Sequence, residues 1–219
     1  VILLVTLCFL SPSVSAFGKR GHQVICQIAF LQLSDSTAKQ VTLLAQAAGF
    51  DSFAQSCYWP DQIRDLAEYD FIKPHHYLNV SRDTDSLLTF KNCPEVGCLT
   101  EAIWAYRLVL KGKRLNKRLS ELYIQDKPKA LMLLSHFVGD IHQPLHVAYA
   151  DDAGGNRVNI KFGRIKSTLH WLWDQLLLDY QPWREMASRL YDDLVASDIN
   201  RWQNPNHLKW ADESLQVTR

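Results

Sequence analysis

The sequence has almost no net charge, few glycines and prolines, and no long apolar run after its first residues. Lys and Arg total 24 against 23 Asp and Glu, 47% of the 219 residues are apolar, and Gly and Pro number 9 and 8. This composition excludes disordered and fibrous proteins. The balanced charge disfavours binding of a polyanion through bulk charge, so a phosphate-bearing ligand would need a few placed groups or bound metal.

The first 16 residues form an uncharged apolar segment that ends in small residues. Because it is too short to span a bilayer, it is interpreted as a signal peptide over residues 1–16, cleaved before Phe17. No later apolar run approaches about 20 residues, which disfavours a membrane span. With no repeat or linker, residues 17–219 are predicted to form one domain of an exported protein, periplasmic or secreted.

Cleavage would remove Cys8 and leave four cysteines. In the segment Cys93 to Cys98, Pro and Gly favour a tight turn between two thiols, which predicts a local disulfide in an oxidising compartment. Closing this loop would stabilise the fold by roughly 2 kcal/mol. Zinc binding by the pair is disfavoured because no second cysteine pair follows. Cys26 and Cys57 could form a second disulfide or remain buried thiols.

Helical periodicity dominates the chain, which predicts a mainly α single domain with at most a small β-hairpin. The one clear strand signal is the alternation from Arg157 to Phe162, with Gly163 as a turn before Arg164–Ser167. Helices are expected over 22–33, 34–48 (capped by Ser34), 100–115, 119–123, 127–140, 169–180 and 183–195.

Two His–Asp pairs have helical spacing, His136 with Asp140 and His170 with Asp174. Residues four apart lie on one helix face, where both side chains can bind one metal ion. Chance alone would produce about 0.6 such spacings in a chain of this composition, so the two pairs are weak evidence by themselves.

The segment that follows His136 strengthens the metal interpretation. Pro144 is expected to end the helix near His142, and His146 then turns back from a loop. Four potential ligands at one helix end are hard to explain as core residues, because buried imidazoles and carboxylates need partners. Metal binding is therefore favoured here.

Three further segments carry polar residues with plainer alternatives. His22, in Phe17-Gly-Lys-Arg-Gly-His22, could be a partly buried helix residue. In the WPDQIR segment, Asp61 could cap a helix and Arg64 could pair with a neighbouring acid. Tyr77, in PHHYLN, could be a core residue.

Taken in order, the motifs FGKRGH, WPDQIR, HHYLN, SHFVGDIHQPLH, GGN and LHWLWD resemble the zinc-dependent single-strand-specific nucleases. The resemblance runs from Phe17 to Asp174 and implies an all-helical fold with three Zn²⁺, shared with a bacterial zinc phospholipase C. The family continues beyond the position of Arg219, so a C-terminally truncated chain is expected. Phe rather than Trp at the mature terminus resembles bacterial members.

The resemblance also implies a ligand for each zinc coordination position. One ion would be held by Asp61, His76, His136 and Asp140. The second would be held by His146, His170 and Asp174. The third would be held by the amine and carbonyl of Phe17, by His22, and by Asp140 as a bridge. Cleavage before Phe17 would then be a condition of activity, because a peptide nitrogen is a poor ligand.

Matching positions further imply substrate-facing roles. Asp61 would orient an attacking water, and Arg64 would stabilise the charge of the transition state. Tyr77 would stack on an unpaired base, Asn79 would bind the base edge, and Asn156 would line the same cleft, although Asn156 could equally be a turn residue.

His142, which lies between ligands, is expected to orient them. The implied activity is hydrolysis of single-stranded DNA and RNA, or of nucleotides, to 5′-phosphate products, with 3′-nucleotidase activity as an addition, by a monomeric enzyme. The alternatives are a zinc phospholipase on the same cluster and a non-catalytic zinc-binding protein.

Overall fold

A computed structural model describes residues 17–91, 93–178 and 182–219 of the chain. The proposed signal peptide lies outside these residues. The helix expected over 169–180 ends earlier, at Asp174, and a 3₁₀ turn follows at Leu176–Leu178. The described chain is mainly α-helical, as the sequence predicts, with two small two-stranded sheets. None of the described helices is long and apolar enough to cross a membrane.

The first helices carry the N-terminal part of the predicted site. They are α1 (Gly18–Leu31), α2 (Asp35–Ala47), α3 (Phe53–Ser56) and α4 (Trp59–Ile63). The Ser34 side chain caps α2 by accepting from the backbone NH of Thr37, as its hydroxyl predicts. A 3₁₀ segment, Ala67–His76, follows α4, and its last residue is a predicted ligand.

The remaining helices form the central packing and the C-terminal end. They are α5 (Leu99–Leu110), α6 (Lys117–Leu122), α7 (Lys127–Ile141), α8 (Leu169–Asp174), α9 (Trp183–Asp192), α10 (Ala196–Trp202) and α11 (His207–Thr218). The core lies where α5 packs against α7, with Ile103, Tyr106, Leu133 and Phe137 fully buried. Burial of these large apolar side chains is the main stabilising contribution of this layer.

Two short strand pairs complete the fold. β1 (Leu78–Val80) pairs in parallel with β2 (Val147–Tyr149), and β3 (Asn159–Phe162) pairs antiparallel with β4 (Ile165–Thr168). The second pair is the predicted hairpin. The parallel pair was not predicted, because three residues on each strand give too short an alternation to identify.

The four described cysteines form two disulfides. Cys93 and Cys98 are bonded, as the turn between them predicts, and Cys26 in α1 is bonded to Cys57, which follows α3. Cys26 and Cys57 are buried. The sequence left this second pairing open, and the fold resolves it by bringing α1 beside α3.

Candidate metal centre

Two helices present the His–Asp pairs that the sequence singled out. On α7, His136 Nε2 lies 3.3 Å from Asp140 Oδ2, and on α8, His170 Nε2 lies 3.1 Å from Asp174 Oδ2. All four residues are buried. The helical period therefore places each pair on one face, pointing into the protein.

The parallel strands bring two further histidines together. His76 directly precedes Tyr77 and β1, while His146 directly precedes β2, so parallel pairing places the two residues side by side. His146 Nδ1 lies 2.6 Å from the carbonyl oxygen of His76. His76 Nδ1 in turn lies 3.1 Å from Asp140 Oδ2, which joins the strand pair to α7.

The N-terminal helices close the centre from the other side. His22 of α1 stacks on His136 with ring centroids 3.7 Å apart, and its Nε2 lies 3.3 Å from Asp140 Oδ1. Gly139 permits this approach, because a Cβ there would lie 3.0 Å from His22 Nδ1. Asp61 of α4 reaches within 3.7 Å of His136 Nε2.

These side chains form three groups whose ligand atoms lie within 4.8 Å of one another. The groups are His76, His136 and Asp140; His146, His170 and Asp174; and His22, Asp61 and His136. The second group has the composition expected for one zinc. The first contains three of the four residues expected for another.

The third expected set is distributed differently. The backbone nitrogen of Phe17 donates to Asp174 Oδ1 at 3.2 Å, and the Phe17 carbonyl accepts from Gly21 NH within the first helical turn. His22 meets the bridge Asp140 as expected, but it groups with Asp61 and His136 rather than with Phe17. The assignment of Phe17 as a ligand stays a prediction.

The hydrogen bonds fix the tautomers of three imidazoles. A carbonyl oxygen only accepts, so the Nδ1 atoms of His136, His146 and His170 donate to the carbonyls of Cys57, His76 and Gly154. Their Nε2 lone pairs then face the centre. Backbone support of this kind is typical of metal-binding histidines.

Several buried polar atoms at the centre have no hydrogen-bond partner among the described residues. They include Asp61 Oδ2, His76 Nε2 and His146 Nε2. Leaving such atoms unsatisfied costs about 1–3 kcal/mol each, more for charged groups. Zn²⁺ binds imidazole nitrogen and carboxylate oxygen, so this donor set fits zinc.

Burial shifts the pKa values of four groups at the centre toward their neutral forms. It raises the pKa of Asp61 to about 7 and that of Asp140 well above its ordinary range. It lowers the pKa of His136 well below its ordinary value, and that of His146 to about 3. Neutral imidazole is the metal-binding form, and a bound cation would restore the charge of the carboxylates.

A cleft of about 400 Å³ opens onto the centre. The expected substrate-facing residues Arg64, Tyr77, Asn79 and Asn156 all line it. Tyr77 is 42% exposed, and Asn79 points outward between two buried positions of β1. Tyr77 is therefore not a core residue, while the Asn156 amide also donates to the Ala153 carbonyl within its turn.

The expectation that His142 orients the ligands is wrong. Its ring lies on the outside of the protein, 5.4 Å from that of Trp210, and its Nδ1 bonds to the Val138 carbonyl. The adjacent Gln143 contacts a predicted ligand instead, since its buried amide donates to Asp174 Oδ1 at 2.7 Å. The sequence does not indicate which of the two side chains faces inward, because the helix ends at Ile141, directly before them.

Comparison with known proteins agrees with this geometry. The family model described as S1/P1 Nuclease matches residues 17–219. The chain is 29% identical over 218 residues to Endonuclease 2 of Arabidopsis thaliana, covering 97% of this chain and 72% of the relative. Endonuclease 4 of the same plant is 30% identical over 211 residues, covering 93% of this chain and 69% of the relative.

A fungal relative is more distant. Nuclease S1 of Aspergillus oryzae is 25% identical over 162 residues, which cover 72% of this chain and 53% of the relative. Because the family model spans the whole described chain, including every residue of the candidate centre, the chain belongs to the S1/P1 nuclease family.

Proposed function

We propose that the protein is an exported, zinc-dependent endonuclease that hydrolyses phosphodiester bonds of single-stranded DNA and RNA to 5′-phosphate products. Removal of a 3′-phosphate from nucleotides is a secondary activity of the same site. Residues 1–16 are the signal peptide, and residues 17–219 form the nuclease domain, which acts as a monomer. The two disulfides fit an oxidising compartment.

One observation carries the proposal: buried His and Asp side chains converge at the floor of a cleft whose rim carries an exposed aromatic ring. On this proposal the floor holds three zinc ions: one bound by Asp61, His76, His136 and Asp140, one by His146, His170 and Asp174, and one by Phe17, His22 and Asp140. The grouping of the buried His and Asp side chains supports the first two sets. When bound, zinc lowers the pKa of water and polarises phosphate oxygens.

The remaining chemistry belongs to side chains of the cleft. Tyr77 stacks on an unpaired base, a contact worth about 1–3 kcal/mol, while Asn79 hydrogen-bonds the base edge and Asn156 lines the cleft beside it. Arg64 binds a phosphate oxygen and stabilises its charge in the transition state. Asp61 orients the attacking water.

Zinc content and turnover together test the proposal. Protein with a confirmed Phe17 terminus should hold close to three zinc ions per chain and cut single-stranded DNA faster than duplex DNA. A chelator should abolish cleavage, and added zinc should restore it. Zinc without turnover would identify a binding protein, and cleavage of phosphatidylcholine in place of DNA would identify a phospholipase. Either result refutes the proposal.

Tyr77→Ala tests the role of the base. It should lower kcat/KM on single-stranded DNA by roughly 10- to 100-fold while leaving zinc content unchanged. Trp104→Ala is a matched control, since Trp104 is similarly exposed at 43% against 42% for Tyr77 but lies on α5 outside the cleft. Equal losses in both variants would refute the stacking role.

A further inference from the structure

Lys73 is a second basic residue of the cleft, and the proposed function gives it no task. It lines the cleft together with Arg64 and Tyr77 and belongs to the 3₁₀ segment that leads directly into His76. Among the described residues that line the cleft, Lys73 is the only lysine. A phosphate bound on this side of the cleft therefore lies near a second positive charge, in addition to that of Arg64.

The two cations differ in depth. The Arg64 side chain is 14% exposed, and its NH1 lies 3.2 Å from the buried Asp61 Oδ1, at the floor of the cleft. The Lys73 side chain is 48% exposed. Arg64 is therefore placed for a phosphate at the metal centre, while Lys73 is placed for one further out.

The present partner of Lys73 can be exchanged for a ligand. Its ammonium lies 2.7 Å from Asp70 Oδ1, but the Asp70 side chain is itself 62% exposed. Ion pairs between exposed side chains contribute little to stability, because water screens the charges and ordering both side chains costs rotamer entropy. A phosphodiester can take the place of Asp70 at small cost.

We propose that Lys73 binds the phosphodiester next to the one being cut, so that the cleft recognises a strand rather than a single nucleotide. A lysine ammonium is a point charge on a flexible stem, which suits a backbone phosphate and reads no base. This inference rests on the proposed nuclease function and adds a phosphate subsite outside the metal centre.

The test compares substrates that differ by one phosphate. The dinucleotide TpT has only the linkage to be cut, whereas TpTpT also has a flanking one. Lys73→Met should lower kcat/KM on TpTpT by up to about fivefold at low salt, and leave TpT unchanged. On longer single strands it should reduce the slope of log kcat/KM against log salt by about 0.7. Lys73→Arg should retain both properties.

A chemical substitution isolates the contact itself. In two isomers of TpTpT, one linkage is replaced by a neutral methylphosphonate, on the 5′ or the 3′ side of the remaining phosphodiester. For one of the two isomers, the kcat/KM of the wild-type enzyme should be lower than on TpTpT by the same factor that Lys73→Met lowers kcat/KM on TpTpT. For Lys73→Met, kcat/KM should be the same on that isomer as on TpTpT. Asp70→Asn should raise kcat/KM on TpTpT, because it frees the ammonium.

Lys209→Met is the matched control, because Lys209 is 44% exposed and lies 3.9 Å from Glu213, outside the cleft. It should behave as wild type. Equal losses of Lys73→Met on TpT and TpTpT, no loss on either, or additive effects of the variant and the methylphosphonate would each overturn the subsite.

Failure of the nuclease function itself would look different. A zinc-loaded wild-type enzyme that cuts neither TpT nor TpTpT refutes that function. Anisotropy of a fluorescent oligonucleotide still tests Lys73 in that case. Equal salt slopes of binding for wild type and Lys73→Met would refute the subsite.

Discussion

Replacing Arg64 with alanine tests whether a cation of the chain itself, in addition to bound zinc, stabilises the transition state. The Arg64 guanidinium is mostly buried, and its NH1 is held 3.2 Å from Asp61 Oδ1. A donor fixed in this way acts at low dielectric and needs no reorganisation when charge develops on the phosphate. Loss of one such donor costs roughly 100- to 1,000-fold in kcat, or about 2.7–4 kcal/mol.

The assay is steady-state cleavage of single-stranded DNA, with zinc content measured on the same preparation. Arg64→Lys keeps the charge but loses the planar fork, so its kcat should fall between those of wild type and Arg64→Ala. Arg164→Ala, in the exposed turn between β3 and β4, is the control and should be unaffected. An unchanged kcat for Arg64→Ala with full zinc content would refute the role given to Arg64.

Three further predictions concern stability. Gly97→Ala should lower the free energy of unfolding in urea by about 2–4 kcal/mol, because φ is +87° and the new Cβ would lie 2.5 Å from a tyrosine hydroxyl. Gly112→Ala is the control: φ is +68° but the space is open, so the loss should be only about 1–2 kcal/mol. Equal losses in the two variants would contradict this. Burial lowers the pKa of His75 to about 4, against 6.5 in the unfolded chain. The free energy of unfolding should therefore fall by about 3 kcal/mol as the pH drops from 6.5 to 4, because the unfolded state takes up the proton first. His75→Phe should lack this part of the pH dependence, and parallel pH profiles for wild type and variant would contradict it. Cys26→Ser should lower the free energy of unfolding by about 4 kcal/mol, because the disulfide joins positions 31 residues apart, and an unchanged urea midpoint would contradict this.

Much of the candidate centre could be predicted from local spacing. His136 with Asp140 and His170 with Asp174 needed only the helical period, and the structure brings each pair together. The boundaries were less accurate. α1 begins at Gly18 rather than at His22, because the glycines near its start weakened the helical signal.

The arrangement around His76 and His146 could not be predicted in this way. It depends on the pairing of β1 with β2, whose strands are 69 positions apart in register, Leu78 with Val147, and only three residues long. Such a contact is fixed by packing rather than by local sequence. The same holds for His142 and Gln143, since the point at which α7 ends determines that Gln143 rather than His142 faces inward.

The Cys26–Cys57 disulfide has a consequence for the order in which the centre assembles. Cys26 follows His22 by four residues, Cys57 precedes Asp61 by four, and the Cys57 carbonyl holds the ring of His136. The disulfide therefore links the backbone that carries His22 to the segment that leads into Asp61 and that accepts a hydrogen bond from His136. Metal would then bind to a partly preorganised set of ligands and would pay less of the entropy of ordering them.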